Sequence, residues 1–182
     1  RTRYLGRKGL LMRAISAVDI ALWDLKGKAA GKPLWRLLCG SNPRVPAIAA
    51  GGYYRDGTGP AEVKREYAAY REQGYQAAKL MVGRLSIEAD MERIAAANQG
   101  LGARIPLMLD FGGFLPNAKA ALDWGNRLST YPIAFIEDPF MPDDTCALEQ
   151  LTRSSLIPIA VGEETSGGPD RPASRQAPKI DK

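Results

Sequence analysis

Histidine is absent from this sequence of 182 residues. Its absence removes the commonest acid-base side chain of enzymes and the commonest protein ligand of transition metals. Metal chemistry in this chain must therefore use carboxylates, whose hard oxygen atoms favour magnesium. Cysteine is almost absent too: Cys39 and Cys146 lie far apart in the sequence and form no disulfide framework. This cysteine usage predicts a reducing, cytoplasmic environment.

Long apolar runs and concentrated charge are also missing. No apolar run approaches the ~20 residues of a membrane-spanning helix, and the basic start RTRYLGRKG is not followed by a signal-peptide cleavage pattern. The 25 Lys and Arg residues exceed the 20 Asp and Glu residues, but they are scattered along the chain and are not interleaved with aromatic residues. The composition therefore predicts neither a membrane nor a nucleic acid as a partner.

The first part of the chain has the spacing of a helix. Between residues 10 and 30, apolar residues recur at steps of three and four and form one stripe: Leu11, Ile15, Val18, Leu22 and Leu25. Gly31 and Pro33 are typical of a helix end. A short helix is predicted at residues 34–38, and the following SNPRVP has the composition of a linker.

From residue 45 onward, apolar runs of strand length alternate with helical stretches. The runs begin at similar intervals along the chain, at Val45, Ala77, Ile105, Ile133 and Ile157. Apolar strands that alternate with helices predict an α/β fold with a parallel sheet covered on both faces. The pattern alone fits two architectures, an open doubly wound sheet and a closed (β/α) barrel of the TIM type.

Charged residues stand near the end of four of these runs, one in each unit: Lys79, Asp110, Glu137 and Glu163. In a barrel, the carboxyl ends of the strands form one rim, so these side chains would converge. Three converging acids repel one another unless a cation lies between them, and magnesium binds such oxygen ligands at about 2.1 Å. The alternative for each acid taken singly is a helix cap or a surface group. Asp138 and Glu164, which alternate to the opposite face, are predicted to be helix-side or capping groups.

The same residues resemble those of a known family. The segments AISAVDIALWDLKGKAAGKPLWRLLCG, AAKLMVG, LMLDFGG, FIEDPFMPDD and PIAVGEE are similar, in order and spacing, to the mandelate racemase and muconate lactonizing enzyme family of the enolase superfamily. The resemblance implies a capping domain joined to a modified (β/α) barrel, with Mg²⁺ bound by Asp110, Glu137 and Glu163. It also implies a small-molecule carboxylate substrate whose α-proton is removed by a dehydratase (a lyase) or by a racemase or cycloisomerase (an isomerase). Such proteins commonly form homo-oligomers.

The chain departs from the family pattern at the catalytic lysines. Many members carry a Lys-x-Lys motif in which the second lysine is the base, and here the two positions are Lys79 and Met81. Methionine accepts no proton, so the usual base of the motif is missing. Lys79 is the candidate catalytic residue, because the resemblance implies that the first lysine contacts the substrate carboxylate or tunes its neighbour. Its position two residues earlier places its amine roughly 6–7 Å along the strand from that of the usual base, which disfavours Lys79 as the base itself. Gly112 stands where many relatives have an asparagine, and a side-chain contact to the substrate is thereby lost.

These expectations divide the chain into three regions. Residues 1–44 are predicted to be the C-terminal helical part of the capping domain. Residues 45–164 are predicted to form a partial (β/α) barrel with about five of eight units, and residues 165–182 an irregular tail rich in Gly and Pro.

The chain is therefore expected to be incomplete relative to the family, which leaves two functions open. The first is a Mg²⁺-dependent enzyme that abstracts the α-proton of a hydroxy acid or sugar acid. The second is a non-catalytic, truncated or degenerate family member that retains only the fold and the metal ligands.

Overall fold

The structure is a computed structural model that describes residues 9–102 and 104–163. These residues fall into two compact units, residues 9–46 and residues 47–163. Glu164 and the irregular tail predicted at residues 165–182 lie outside the described residues. In the part of the chain that is described, no helix is long and apolar enough to cross a membrane.

The first unit contains two helices, α1 (Leu10–Ala29) and α2 (Leu34–Leu37). The helix predicted from the apolar spacing is therefore present. It ends just before Gly31, which has a positive φ of 59°, a conformation that glycine adopts without steric cost. The apolar stripe of α1 is largely exposed, with 61% of Val18 and 63% of Leu25 accessible to solvent.

The second unit is built on a sheet of five parallel strands. These are β1 (Ala49–Gly51), β2 (Ala78–Met81), β3 (Leu107–Asp110), β4 (Ile133–Glu137) and β5 (Ile159–Ala160). The strands lie side by side in the order in which they occur in the chain. A doubly wound sheet reverses its strand order at a switch point, whereas a TIM-type barrel adds each strand on the same side of the previous one. The sequential order therefore selects the barrel-type architecture.

Four helices follow the first four strands: α3 (Pro60–Glu72), α4 (Ile87–Leu101), α5 (Ala118–Leu128) and α6 (Thr145–Ser154). Three of them begin at a side chain that accepts a hydrogen bond from the first turn, namely Ser86, Asn117 and Asp144. Such caps satisfy backbone N–H groups that have no partner within the helix. They fix the residue at which each loop after a strand ends.

Prolines set the starts of three strands, which are shorter than the predicted apolar runs. β3, β4 and β5 begin directly after Pro106, Pro132 and Pro158. Proline has no N–H to donate to a sheet, whereas the carbonyl of each of these prolines accepts a hydrogen bond from the preceding strand. The runs predicted to start at Ile105 and Ile157 therefore begin before the strands do.

The two faces of the sheet differ in burial. One face is fully buried and consists of Ala78, Leu80, Leu107, Leu109 and Ile136. These residues belong to one apolar core with helix residues such as Tyr67 and Ile94. Because side chains alternate along a strand, the opposite face carries the residues between them, among which are Lys79, Met81, Asp110 and Glu137. The charged residues of β2, β3 and β4 therefore share one face.

Helices α3 and α4 approach each other closely at Gly100. A Cβ atom at this position would lie 2.5 Å from the carbonyl oxygen of Lys64 and 3.0 Å from Cβ of Tyr67. Gly125 in α5 is a matched case, because no atom lies within 4 Å of the Cβ position there. Packing and helix propensity therefore oppose each other at Gly100, whereas propensity acts alone at Gly125.

We predict that Gly100→Ala lowers the free energy of unfolding by about 1–3 kcal/mol, because α3 must shift to make room for the methyl group. Gly125→Ala should raise the free energy of unfolding by about 0.5–1 kcal/mol, because alanine favours a helix interior. Urea unfolding followed by circular dichroism measures both values. Stabilisation by Gly100→Ala would show that the two helices do not pack in this way.

Candidate metal centre

Asp110 and Glu137 are the last residues of β3 and β4, and they are partners in the sheet register. Adjacent strands lie about 4.8 Å apart and partners in the register point to the same face, so the two carboxylates are neighbours. Glu163 follows β5 in the next loop. Carboxylate oxygens of the three residues all lie within 4.8 Å of one another. The structure thus brings together the three acids that the sequence predicted to converge.

The three acids fit a magnesium ion in both chemistry and spacing. They offer hard, anionic oxygen atoms, which are the donors that Mg²⁺ prefers. An octahedral ion with ligands at about 2.1 Å needs ligand oxygens about 3–4 Å apart, and the observed limit of 4.8 Å is within a side-chain rotation of that spacing. Asp110 is buried and Glu163 is exposed, so the cluster is open to solvent on one side.

Lys79 lies between two of the acids. Its Nζ is 2.9 Å from Oδ2 of Asp110 and 2.8 Å from Oε2 of Glu137. Its register partner on β3 is Met108, two residues before Asp110. The long Lys79 side chain therefore extends along the strand direction to reach the level of Asp110. Burial alone would lower the pKa of Lys79, but the hydrogen bonds to Glu137 and Asp110 and the charges of both raise the pKa above its ordinary value. The amine is therefore held as an ammonium group that offsets part of the repulsion between the acids.

Two hydrogen bonds that involve the backbone hold the carboxylate of Asp110 and the main chain of Lys79 in place. The N–H of Gly112 donates to Oδ1 of Asp110 at 3.0 Å, and the hydroxyl of Tyr67 donates to the carbonyl of Lys79 at 2.6 Å. Burial raises the pKa of Tyr67 far above its usual range, so the hydroxyl keeps its proton and stays a donor. The backbone of Lys79 is thus tied to α3 from the buried side of the sheet.

Asp138 supports the third acid instead of a helix. Its φ is 39°, and its Oδ1 accepts a hydrogen bond of 3.1 Å from the N–H of Gly162, next to Glu163. The nearest helix, α6, is capped by Asp144, so the helix-side or capping role predicted for Asp138 is replaced by a contact between the end of β4 and the loop that carries Glu163. The same prediction for Glu164 lies outside the described residues.

The wall beside Asp110 is apolar. Met81 is the register partner of Asp110. A Cβ atom on Gly112 would lie 3.8 Å from Cε of Met81 and 3.2 Å from Cε2 of Phe114. The space that a side chain at position 112 would enter is therefore lined by carbon atoms of Met81 and Phe114.

The sequence analysis did not predict the buried ion pair of Asp90 and Arg93, which lies close to the candidate metal centre. Asp90 and Arg93 of α4 are only 0% and 3% exposed, and Asp90 accepts a hydrogen bond of 2.7 Å from the hydroxyl of Tyr54. Burial raises the pKa of Tyr54 to about 12, against the opposing hydrogen bond from the backbone N–H of Arg84, and the bond to Asp90 adds to the rise. A signal was present, because opposite charges three residues apart lie on the apolar face of α4 that also carries Ile94.

Two family models match the sequence. One is described as enolase C-terminal domain-like and matches residues 62–171, and the other, for the N-terminal domain of mandelate racemase / muconate lactonizing enzyme, matches residues 2–39. A 3,6-anhydro-alpha-L-galactonate cycloisomerase from Streptomyces coelicolor is 39% identical over 167 residues, which are 90% of this chain and 44% of the relative. An arabinonate dehydratase from Saccharolobus solfataricus is 35% identical over 165 residues, which are 91% of this chain and 44% of the relative. These matches confirm the family resemblance.

Solved structures with the same fold contain magnesium. A racemase from Streptomyces coelicolor A3(2) with bound magnesium matches with a TM-score of 0.78 and 37% identity, over 88% of this chain and 44% of the other. An enolase from Bradyrhizobium complexed with magnesium and mandelic acid matches with a TM-score of 0.78 and 33% identity, over 90% of this chain and 44% of the other. The predicted fold class is thereby confirmed. The chain spans less than half the length of these relatives.

We predict that Lys79 and Glu137 are energetically coupled. In buffer without divalent cations, Lys79→Met should lower the free energy of unfolding by about 1–3 kcal/mol, because it leaves two hydrogen-bonded carboxylates without their cation. A double-mutant cycle with Glu137→Gln should give a coupling energy of about 0.5–3 kcal/mol. Urea unfolding of the parent, the two single variants and the double variant supplies the four free energies.

The control for this cycle is an exposed pair on α5. Nζ of Lys119 lies 3.1 Å from Oδ2 of Asp123, and the two side chains are 86% and 54% exposed. The cycle of Lys119→Met with Asp123→Asn should give a coupling energy of at most about 0.5 kcal/mol. Equal coupling energies in the two cycles would contradict the arrangement of Lys79 between the acids.

Proposed function

The chain belongs to the mandelate racemase and muconate lactonizing enzyme family of the enolase superfamily, and we propose that its function is the Mg²⁺-dependent abstraction of the α-proton of a carboxylate substrate. The observation that carries the proposal is the convergence of Asp110, Glu137 and Glu163 at the carboxyl ends of parallel strands, the position of active sites in barrels of this type. These three residues are proposed as the metal ligands and Lys79 as the catalytic lysine.

The residues of the centre suit the chemistry of this step. A bound magnesium ion would stabilise the negative charge that develops on the substrate as the α-proton leaves. The Lys79 ammonium can donate a hydrogen bond to the substrate carboxylate when it is released from Asp110 and Glu137. Once released, Lys79 also loses the two contacts that raise its pKa, so it becomes better able to give up a proton. Carbon atoms of Met81 and Phe114 line the space beside Gly112, close to Asp110.

We propose a hydroxy acid or a sugar acid as the substrate. The support comes from the names of the relatives, which include a 3,6-anhydro-alpha-L-galactonate cycloisomerase and an arabinonate dehydratase, and from the mandelic acid in the Bradyrhizobium structure. Together with the racemase from Streptomyces coelicolor A3(2), these relatives divide between cycloisomerase, dehydratase and racemase. Removal of the α-proton is therefore the proposed step, and the identity of the product distinguishes a lyase from an isomerase.

Met81 favours a second candidate function. It occupies the position at which the family pattern has its base, and its register partner is the candidate ligand Asp110. A chain with this substitution can keep the three carboxylates and still lack proton transfer. The second candidate is therefore a non-catalytic family member that retains the fold and the metal ligands.

We predict that the protein exchanges the α-proton of a suitable acid in heavy water. Mandelate, arabinonate, galactarate and glucarate form a first panel, each incubated with the protein and Mg²⁺ and followed by proton NMR for loss of the α-proton signal. Lys79→Met should lower the exchange rate by about 10²-fold or more, since one acid-base group contributes about that factor. The α-proton signal is lost when the α-carbon is reprotonated from heavy water, as in racemisation. It is also lost when the β-hydroxyl leaves to give a keto acid, in which the former α-carbon is the carbonyl carbon.

The matched control for exchange is Lys119→Met, which removes an exposed ammonium on α5 that takes no part in the centre. It should exchange at the rate of the parent protein. Failure of the parent protein to exchange the α-proton of any acid in the panel would contradict the catalytic proposal and favour the second candidate.

A further inference from the structure

A buried ion pair underlies the rim on which the candidate metal centre stands. Asp90 and Arg93 lie one turn apart on α4, with Nη1 of Arg93 2.6 Å from Oδ1 of Asp90. Both side chains are almost fully buried. Buried ion pairs are typically no more stabilising than apolar side chains of similar volume, because both charges lose their water. A contribution to overall stability therefore does not explain why the pair is present, whereas its directional contacts with the backbone do.

Arg93 contacts the carboxyl ends of two neighbouring strands at once. Its Nη2 donates to the carbonyl of Gly52, directly after β1. Its Nη1 donates at 3.0 Å to the carbonyl of Met81, the last residue of β2. A planar guanidinium group presents these donors in a fixed fork, which neither lysine nor an apolar side chain can reproduce. The fork therefore sets the position of one strand end relative to the other.

The peptide held by Arg93 leads directly to a candidate ligand. The same peptide group that offers the carbonyl of Met81 offers the N–H of Val82, and this N–H donates at 2.9 Å to the backbone carbonyl of Asp110. Arg93 thus holds one side of a peptide whose other side holds the backbone of Asp110. A shift of the Arg93 fork would be transmitted to the acid through one rigid, planar group.

Asp90 keeps Arg93 in this orientation. Beyond its bond to Arg93, its carboxylate accepts hydrogen bonds from the hydroxyl of Tyr54 and, at 2.8 Å, from the N–H of Gly83. The ring of Tyr54 also covers the guanidinium of Arg93, with the central carbon 4.1 Å from the ring centre. The ion pair is therefore enclosed by the loops that follow β1 and β2.

We propose that Arg93 is a positioning residue for the candidate metal centre: paired with Asp90, it clamps the carboxyl ends of β1 and β2 and so fixes the Met81–Val82 peptide that holds the backbone of Asp110. The consequence for metal binding rests on the function proposed above. The clamp itself is present in the protein without metal, so the clamp and its effect on metal binding can be tested separately.

Amide hydrogen exchange of the full chain with Arg93→Lys tests the clamp. The lysine keeps a positive charge beside Asp90 but cannot reach both carbonyls. Exchange at the Val82 amide should accelerate about tenfold, the equivalent of one lost hydrogen bond. The Phe111 amide donates to the backbone carbonyl of Glu137, between β3 and β4. Its exchange rate should stay that of the parent protein. Unchanged exchange at Val82, or equal acceleration at Val82 and Phe111, would overturn the clamp.

A magnesium titration of the same variant tests the consequence. Arg93→Lys should weaken Mg²⁺ binding by about 10- to 100-fold, the usual effect of losing a residue that orients a ligand, while its far-ultraviolet circular dichroism stays that of the parent. Arg127→Lys is the control, because Arg127 also contacts α4 through Glu88 but is exposed. Parent-like Mg²⁺ affinity in Arg93→Lys would overturn the positioning role. Absence of Mg²⁺ binding in the parent would overturn the metal-dependent function, and the exchange experiment would still decide the clamp.

Asp90→Asn is the second variant. It preserves the shape of the side chain and removes the charge that orients Arg93, so the same selective acceleration at Val82 is expected. Loss of cooperative unfolding in both Arg93→Lys and Asp90→Asn would overturn the proposal, because the pair would then support the whole sheet and not one part of its rim.

Discussion

Repulsion among three carboxylates is the constraint on which the second unit depends. At an effective dielectric constant of about 20, two like charges 4–5 Å apart repel each other by about 3–4 kcal/mol. The fold nevertheless places oxygens of Asp110, Glu137 and Glu163 within 4.8 Å. This placement follows from the register of the parallel strands, which makes Asp110 and Glu137 neighbours, and from the loop after β5, which adds Glu163. The Lys79 ammonium offsets part of this repulsion through its contacts with two of the acids, and a bound divalent cation would offset more of it.

The buried side of the sheet supplies the rigidity that such a cluster needs. Tyr67 reaches from α3 to the carbonyl of Lys79, and Arg93 reaches from α4 to the carbonyl of Met81. Asp138 ties the end of β4 to the loop before Glu163. Each contact ends on the backbone, so each fixes the main chain at or next to a rim residue without contacting the side chain of that residue. This division between a packed scaffold and an open rim is the general arrangement of sites in (β/α) barrels.

Much of this arrangement could be predicted from the sequence, for identifiable reasons. Apolar runs alternating with helices mark the strands, and one charged residue late in four of the five runs marks the rim. Asp110, Glu137 and Glu163 could therefore be selected before their positions were known. The strand starts directly after Pro106 and Pro158 could not be predicted as well, because apolarity does not distinguish a proline flank from a hydrogen-bonded strand. The two contacts of Lys79 and the fork of Arg93 depend on side-chain reach across three elements, which no local pattern encodes. The exposed stripe of α1 had the expected spacing, but spacing alone does not reveal what covers a helix.

The central claim is that the three carboxylates form one divalent-cation site. Its most direct test is a calorimetric titration of the chain with Mg²⁺ beside the Glu137→Gln variant, which keeps the shape of the side chain and removes one anionic ligand. The account predicts saturable binding of one ion by the parent and a loss of affinity of about tenfold or more in the variant. No saturable binding by the parent, or equal affinity in the two proteins, would contradict it.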